Sequence, residues 1–188
     1  MKSQRIGRIS VIAGALGVVL LAGCNSMPAK KMMPFSQASL PASIQVPAGN
    51  RVAWETVGKG EVTYECRAKA GAMGQTEWVF AGPDAKLWDR SGKQVGTYYG
   101  PPATWEAMDG SKVTGKQLAV APAGAGNLPY QLVQANPAMG SGAMTGVTYI
   151  QRVALTGGVA PTTPCTTANQ GARQNVTYQA DYIFWKAM

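Results

Sequence analysis

Glu106 and Asp109 stand three residues apart, with Trp105 before them and Ser111 and Lys112 after them, the densest run of chemically able side chains in the sequence. Two carboxylates beside an aromatic platform can share the work of glycoside cleavage, one as acid and one as nucleophile or base. A glycan-acting hydrolase using Glu106 and Asp109 is therefore one reading. The other places Trp105 in a core, turns Glu106 toward solvent on a strand, and makes Asp109-Gly110 a type I′ hairpin turn, which accounts for the aspartate without chemistry. The turn reading is the stronger. A binding role asks less of the same residues: Trp105 and Glu106, with Tyr98 and Tyr99 shortly upstream, form the candidate ligand-binding set, and no catalytic residue is assigned. Trp54, Trp78, Trp88 and Trp105 could stack on sugars or apolar molecules, or simply fill a core.

Other chemistries find few parts. The chain has no His, so a Ser or Thr nucleophile would need Lys or a carboxylate as its base. Gly140-Ser141-Gly142 lacks the spacing of a nucleophile elbow. Nine acidic residues, with Asp84 and Asp89 flanking a strand-like run, are thin material for calcium. Zinc, copper and haem lose their usual ligands without His. No metal and no cofactor is expected.

The N-terminus carries an export pattern. Lys2, Arg5 and Arg8 precede an apolar run, which ends in Leu21-Ala22-Gly23-Cys24, the form of a lipobox. The apolar stretch is about 15 residues, short of the roughly 20 that cross a bilayer. A signal peptide over 1–23 and lipidation of Cys24 (a palmitate-bearing lipoprotein N-terminus) follow as expectations, and Asn25 after the Cys favours the outer membrane. Cleavage would leave 14 basic against nine acidic residues, a formal charge of +5 rather than +8. With no basic stripe remaining, nucleic acid is not an expected partner. Once Cys24 is acylated, Cys66 and Cys165 are an even pair in an oxidising compartment and are expected to form a disulfide.

The elements that would position these residues are short. Residues 24–40 read as a lipidated tether, although Met32, Met33 and Phe35 could instead pack as an edge on the domain. From 41 to 188 a single β-rich domain is expected. Ten alternating runs lie between turn residues: 51–57, 61–67, 76–80, 86–89, 94–99, 105–108, 112–118, 131–135, 147–155 and 175–185. The last is the clearest, with Val176, Tyr178, Ala180, Tyr182 and Phe184 on one face and Thr177, Gln179 and Asp181 on the other. Roughly ten strands with 23 Gly and 12 Pro predict an all-β fold, a β-sandwich or barrel. Residues 121–146 read as a long connection between sheets or, alternatively, as a flap with Met139 and Met144 near its tip.

Several stretches taken together resemble a known family. They are Trp78-Val79-Phe80-Ala81-Gly82-Pro83, the Trp105-Glu106 pair, Asp109-Gly110-Ser111-Lys112-Val113, Val147-Thr148-Tyr149-Ile150-Gln151-Arg152, and Thr156-Gly157-Gly158-Val159-Ala160-Pro161 before Cys165. The chain resembles domain of unknown function 3455, a family of exported bacterial and fungal proteins, over about residues 40–185. The resemblance implies secretion and one β-rich domain, but no established reaction. The family often carries a His before the Trp-Glu pair, where this chain has Thr97-Tyr98-Tyr99. Some relatives bear a dehydrogenase label, which this sequence does not support, because it has no Gly-x-Gly-x-x-Gly opening a helix after a strand.

The functional expectation is a lipid-anchored envelope protein with a non-catalytic ligand-binding or interaction domain. Its membrane contact would be the N-terminal lipid. Its partner would be an envelope glycan, an apolar small molecule or a protein. A structural envelope component with protein partners is the further alternative to the hydrolase.

Overall fold

The alternation at the C-terminus becomes strand β8 (Arg173–Ala187), which pairs antiparallel with β1 (Asn50–Ala68) on one side and β7 (Val147–Gly157) on the other. This computed structural model describes residues 34–188. The signal, Cys24 and most of the stretch read as a tether lie outside the described residues. Between β1 and β7 run β2 (Thr76–Trp88), β3 (Gln94–Tyr99), β4 (Thr104–Ala107), β5 (Lys112–Ala121) and β6 (Tyr130–Ala135). Each is antiparallel to its predecessor, and the β8–β1 ladder closes an eight-stranded barrel in sequence order.

Eight strands replace the expected ten because two pairs of runs are continuous. Runs 51–57 and 61–67 fuse in β1 through Gly58-Lys59-Gly60, and runs 76–80 and 86–89 fuse in β2 through Gly82-Pro83. These glycines mark close approaches rather than turns. A Cβ at Gly58 would lie 2.5 Å from the Tyr182 ring, which occupies the space that glycine leaves free. In β2, Gly82 pairs with Thr63 and Phe80 with Tyr64, leaving Ala81 as a bulge. Residues 121–146 are likewise not a connection between two sheets, since they contain β6, a full member of the barrel.

The barrel interior is packed with Val62, Leu87, Trp105, Val113, Ile150, Tyr182 and Phe184, among others. On β8 the predicted inward face holds, because Tyr178, Ala180, Tyr182 and Phe184 all join this core. A second apolar cluster lies on the outer face, where Ile44 and Val46 pack with Ala121, Leu132, Val153, Ile183 and Trp185. It explains why β8 is buried on both faces near its end. The chain before β1 thus straps the barrel from outside. Phe35 meets Trp185 edge-on at 6.3 Å, and buried Gln151 both donates to Ile44 O and accepts the Trp185 indole N–H. Residues 34–40, read as the end of a tether, belong structurally to this strap.

The wall of the barrel is uneven. β3 and β4 have six and four residues, against 13 in β2 and ten in β5. Residues 76–83 of β2 therefore pair only with β1, and residues 115–121 of β5 only with β6. The short β3–β4 hairpin leaves a side mouth between these two strand edges. Loop 158–165 crosses to β2 at that end. The Cys66–Cys165 disulfide holds it there, the Trp78 indole N–H donates to Thr163 O at 2.7 Å, and the Thr76 hydroxyl donates to Cys165 O at 2.8 Å.

Candidate functional site

The β3–β4 pairing divides the expected ligand-binding set between two faces. Tyr98 stands opposite Trp105 and Tyr99 opposite Thr104, while Glu106 pairs with Thr97. Alternation then sends Tyr98 and Trp105 inward and Tyr99 and Glu106 outward. Inside, the Tyr98 and Trp105 rings stack at 4.6 Å with an 18° interplanar angle, and Tyr182 lies 5.0 Å from Tyr98. Trp105 is 1% exposed and its indole N–H has no hydrogen-bond partner. Outside, the Tyr99 hydroxyl donates to Glu106 Oε2 at 2.6 Å, and that carboxylate holds the Tyr99 phenol above its ordinary pKa. Lys112 Nζ lies 3.9 Å from the same oxygen.

Asp109 has a different task from Glu106. The turn is not type I′, because Asp109 does not adopt positive φ and Gly110 alone does, at 83°. Gly110 N–H bonds to Ala107 O, and Ala107 N–H bonds to Ser111 O, the pattern of a type I turn followed by a glycine bulge. Asp109 Oδ1 accepts the Ser111 N–H and hydroxyl, and Oδ2 accepts the Ala143 N–H. The Ser111 hydroxyl, first among these donors, holds the Asp109 carboxyl below its ordinary pKa. Buried Ser111 in turn accepts the Met144 N–H at 3.1 Å. The two carboxylates are thus committed to separate hydrogen-bond sets, and nothing brings them onto a common reacting centre.

The side mouth gathers residues that sequence reading did not select. Val120 pairs with Gln131, Gln131 with Arg152, and Arg152 with Tyr182. Because paired residues share a face, Val120, Gln131, Arg152 and Tyr182 form one inward row across β5 to β8. On the opposite edge Phe80 pairs with inward Tyr64 and meets its ring edge-on at 6.0 Å. Phe80 and Val120 nevertheless remain 44% and 46% exposed, on the stretches of β2 and β5 that lack a partner on one side. Deeper in the row, Arg152 is 7% exposed. Its only mark in the sequence is that it is the single charged residue of β7.

A concavity of about 450 Å³ opens at the other end of the barrel, lined by Trp54, Val95, Ala107, Met108 and Ala143 among others. Of the expected tryptophan set, Trp54 lies here, Trp78 is tied to the loop at the opposite end, and Trp105 is core. No curated protein and no solved structure matches the chain. Residues 47–186 match the family described as Protein of unknown function (DUF3455), nearly the whole barrel. The chain belongs to the domain of unknown function 3455 family.

Proposed function

We propose that this is a lipid-anchored protein of the cell envelope whose barrel binds a ligand, without catalysis, at the side mouth between β2 and β5. The observation that carries the reading is the exposure of inward-facing Phe80 and Val120 where the β3–β4 hairpin falls short. Apolar groups left in water beside two unpaired strand edges form a ready binding surface for an apolar partner. The separate commitments of Glu106 and Asp109 weigh against the hydrolase reading. Leu21-Ala22-Gly23-Cys24 supports the lipid anchor, and Asn25 the outer membrane.

Thermal unfolding of the purified chain against apolar small molecules and soluble glycan fragments tests the mouth. A ligand at 100 times its Kd adds about 2.7 kcal/mol to stability, and Val120→Lys should abolish that gain. If no compound of either class raises the melting temperature, or if Val120→Lys leaves the gain intact, the mouth is not the site. Mass analysis of the N-terminus tests the anchor, since an unmodified Cys24 in protein taken from membranes would refute it.

A further inference from the structure

Arg152 is a buried cation without an acidic partner. Its Nε and Nη2 both donate to Pro129 O, at 3.3 and 3.0 Å. Among the described residues, no carboxylate lies within ion-pairing distance of it. One carbonyl meets two of the five donors a guanidinium carries. Burying a charge is costly unless it is paired, so an uncompensated Arg inside a barrel calls for an explanation that packing does not supply.

No buried group around Arg152 provides the missing charge. Arg152 acts electrostatically on the phenols of Tyr64, Tyr98, Tyr178 and Tyr182, but burial outweighs it and pushes all four above their ordinary pKa. They stay neutral at neutral pH. The Tyr178 and Tyr182 hydroxyls bond to each other at 3.1 Å, and the Tyr64 hydroxyl donates to Gly158 O at 2.7 Å. One buried donor, the Trp105 indole N–H, is unpartnered, and its ring packs against Tyr182, the cross-strand neighbour of Arg152. Among the described residues the interior holds one cation, Arg152, and no buried carboxylate.

The row gives the approach. From Val120 at the exposed edge, Gln131 leads to Arg152, so one opening presents an apolar rim with a guanidinium behind it. We propose that Arg152 anchors the anionic head, a carboxylate or a phosphate ester, of an amphipathic ligand whose apolar body lies between Phe80 and Val120. This rests on the mouth being the binding site and names the chemistry bound there. The planar guanidinium fork matches either head in bidentate fashion, and bound head and cation would neutralise each other inside the barrel.

Calorimetric titration of the purified chain at fixed ionic strength tests this with three soluble probes: 4-phenylbutyrate, the neutral 4-phenylbutanol, and benzyl phosphate. The expected result is that an anionic probe binds at least about tenfold tighter than the alcohol, and that Arg152→Met removes the difference while Arg152→Lys keeps part of it. Preference for phenylbutyrate assigns a carboxylate head, and preference for benzyl phosphate a phosphate ester. Equal binding of acid, phosphate and alcohol overturns the anionic head but leaves the mouth intact as an apolar site. Failure of all three to bind overturns the mouth reading as well. Should Arg152→Met not fold, the ratio of anion to alcohol affinity in the unaltered chain still decides the question.

Discussion

Asp109 Oδ2 accepts the Ala143 N–H at 2.7 Å, so a hairpin turn fastens a loop 34 residues further along the chain. Gly142 lies against that carboxyl with no room for a side chain. Both carboxylate oxygens are engaged as acceptors, and an amide offers only one. Asp109→Asn should therefore lower the melting temperature, Asp109→Ala should lower it further, and Gly142→Ala should resemble Asp109→Ala. The pH dependence has a definite sign. The folded-state pKa of Asp109 lies below its unfolded value of about 3.9, so its stabilising contribution is present above that value and is lost as pH falls through the folded pKa. The melting temperatures of the wild type and Asp109→Asn should draw together as pH falls below the ordinary aspartate range. A gap that does not narrow on acidification would refute the assignment.

The Cys66–Cys165 bond joins residues 99 apart. Closing so long a loop restricts the unfolded chain, a contribution of about 4–5 kcal/mol on chain-entropy grounds. The Cys66→Ser/Cys165→Ser double variant should lose a large part of that in denaturant unfolding. It should also loosen loop 158–165 toward proteolysis, because hydrogen bonds from Trp78, Thr76, Tyr64 and Asn169 and the Asn127–Gly158 bridge would hold it without a covalent tie. Unchanged midpoint and unchanged cleavage would show the staple to be energetically idle.

What was legible in the sequence followed from local pattern. Strand β8 announces itself through strict alternation, and the disulfide through an even pair of cysteines. The strand count was misread because Gly58, Gly60 and Gly82-Pro83 give the same local signal whether a chain turns or another group comes close. Only the Tyr182 ring lying over Gly58 tells the two apart, and Tyr182 is 124 residues away in sequence. The Asp109-Gly110 dipeptide suits several hairpin turns, and loop length, not composition, selects among them. The side mouth was invisible for a related reason: it arises from register and unequal strand length, neither of which is a property of any one segment. Val120, Gln131, Arg152 and Tyr182 become neighbours only once four strands are aligned.

An unpaired buried guanidinium should cost stability as well as serve a ligand. Replacing buried charges with apolar groups of similar volume is often neutral or stabilising. Arg152→Met should accordingly leave the unliganded barrel unchanged or raise its unfolding free energy by about 1–2 kcal/mol, with the two bonds to Pro129 O as the offsetting loss. A loss of more than about 2 kcal/mol would mean that Arg152 is held for structure, with the lost Pro129 bonds too valuable to be an offset.

Glu106 provides the sharpest contrast between the expected binding set and the side mouth. It faces outward, accepts from Tyr99 and lies near Lys112, all on the exposed side of β3–β5. Exposed pairs of this kind contribute about 0–1 kcal/mol, since solvent screens them and two side chains must be ordered to make them. Glu106→Gln should thus change unfolding free energy by less than about 1 kcal/mol, lower the Tyr99 titration toward its ordinary value, and leave probe binding untouched. Phe80→Ser should do the reverse, weakening every apolar probe with little effect on Tyr99. A spectrophotometric tyrosine titration run beside the calorimetry separates the two faces. If Glu106→Gln weakened binding while Phe80→Ser did not, the ligand would sit on the outer Tyr99–Glu106–Lys112 surface and the mouth would be only a gap in the wall.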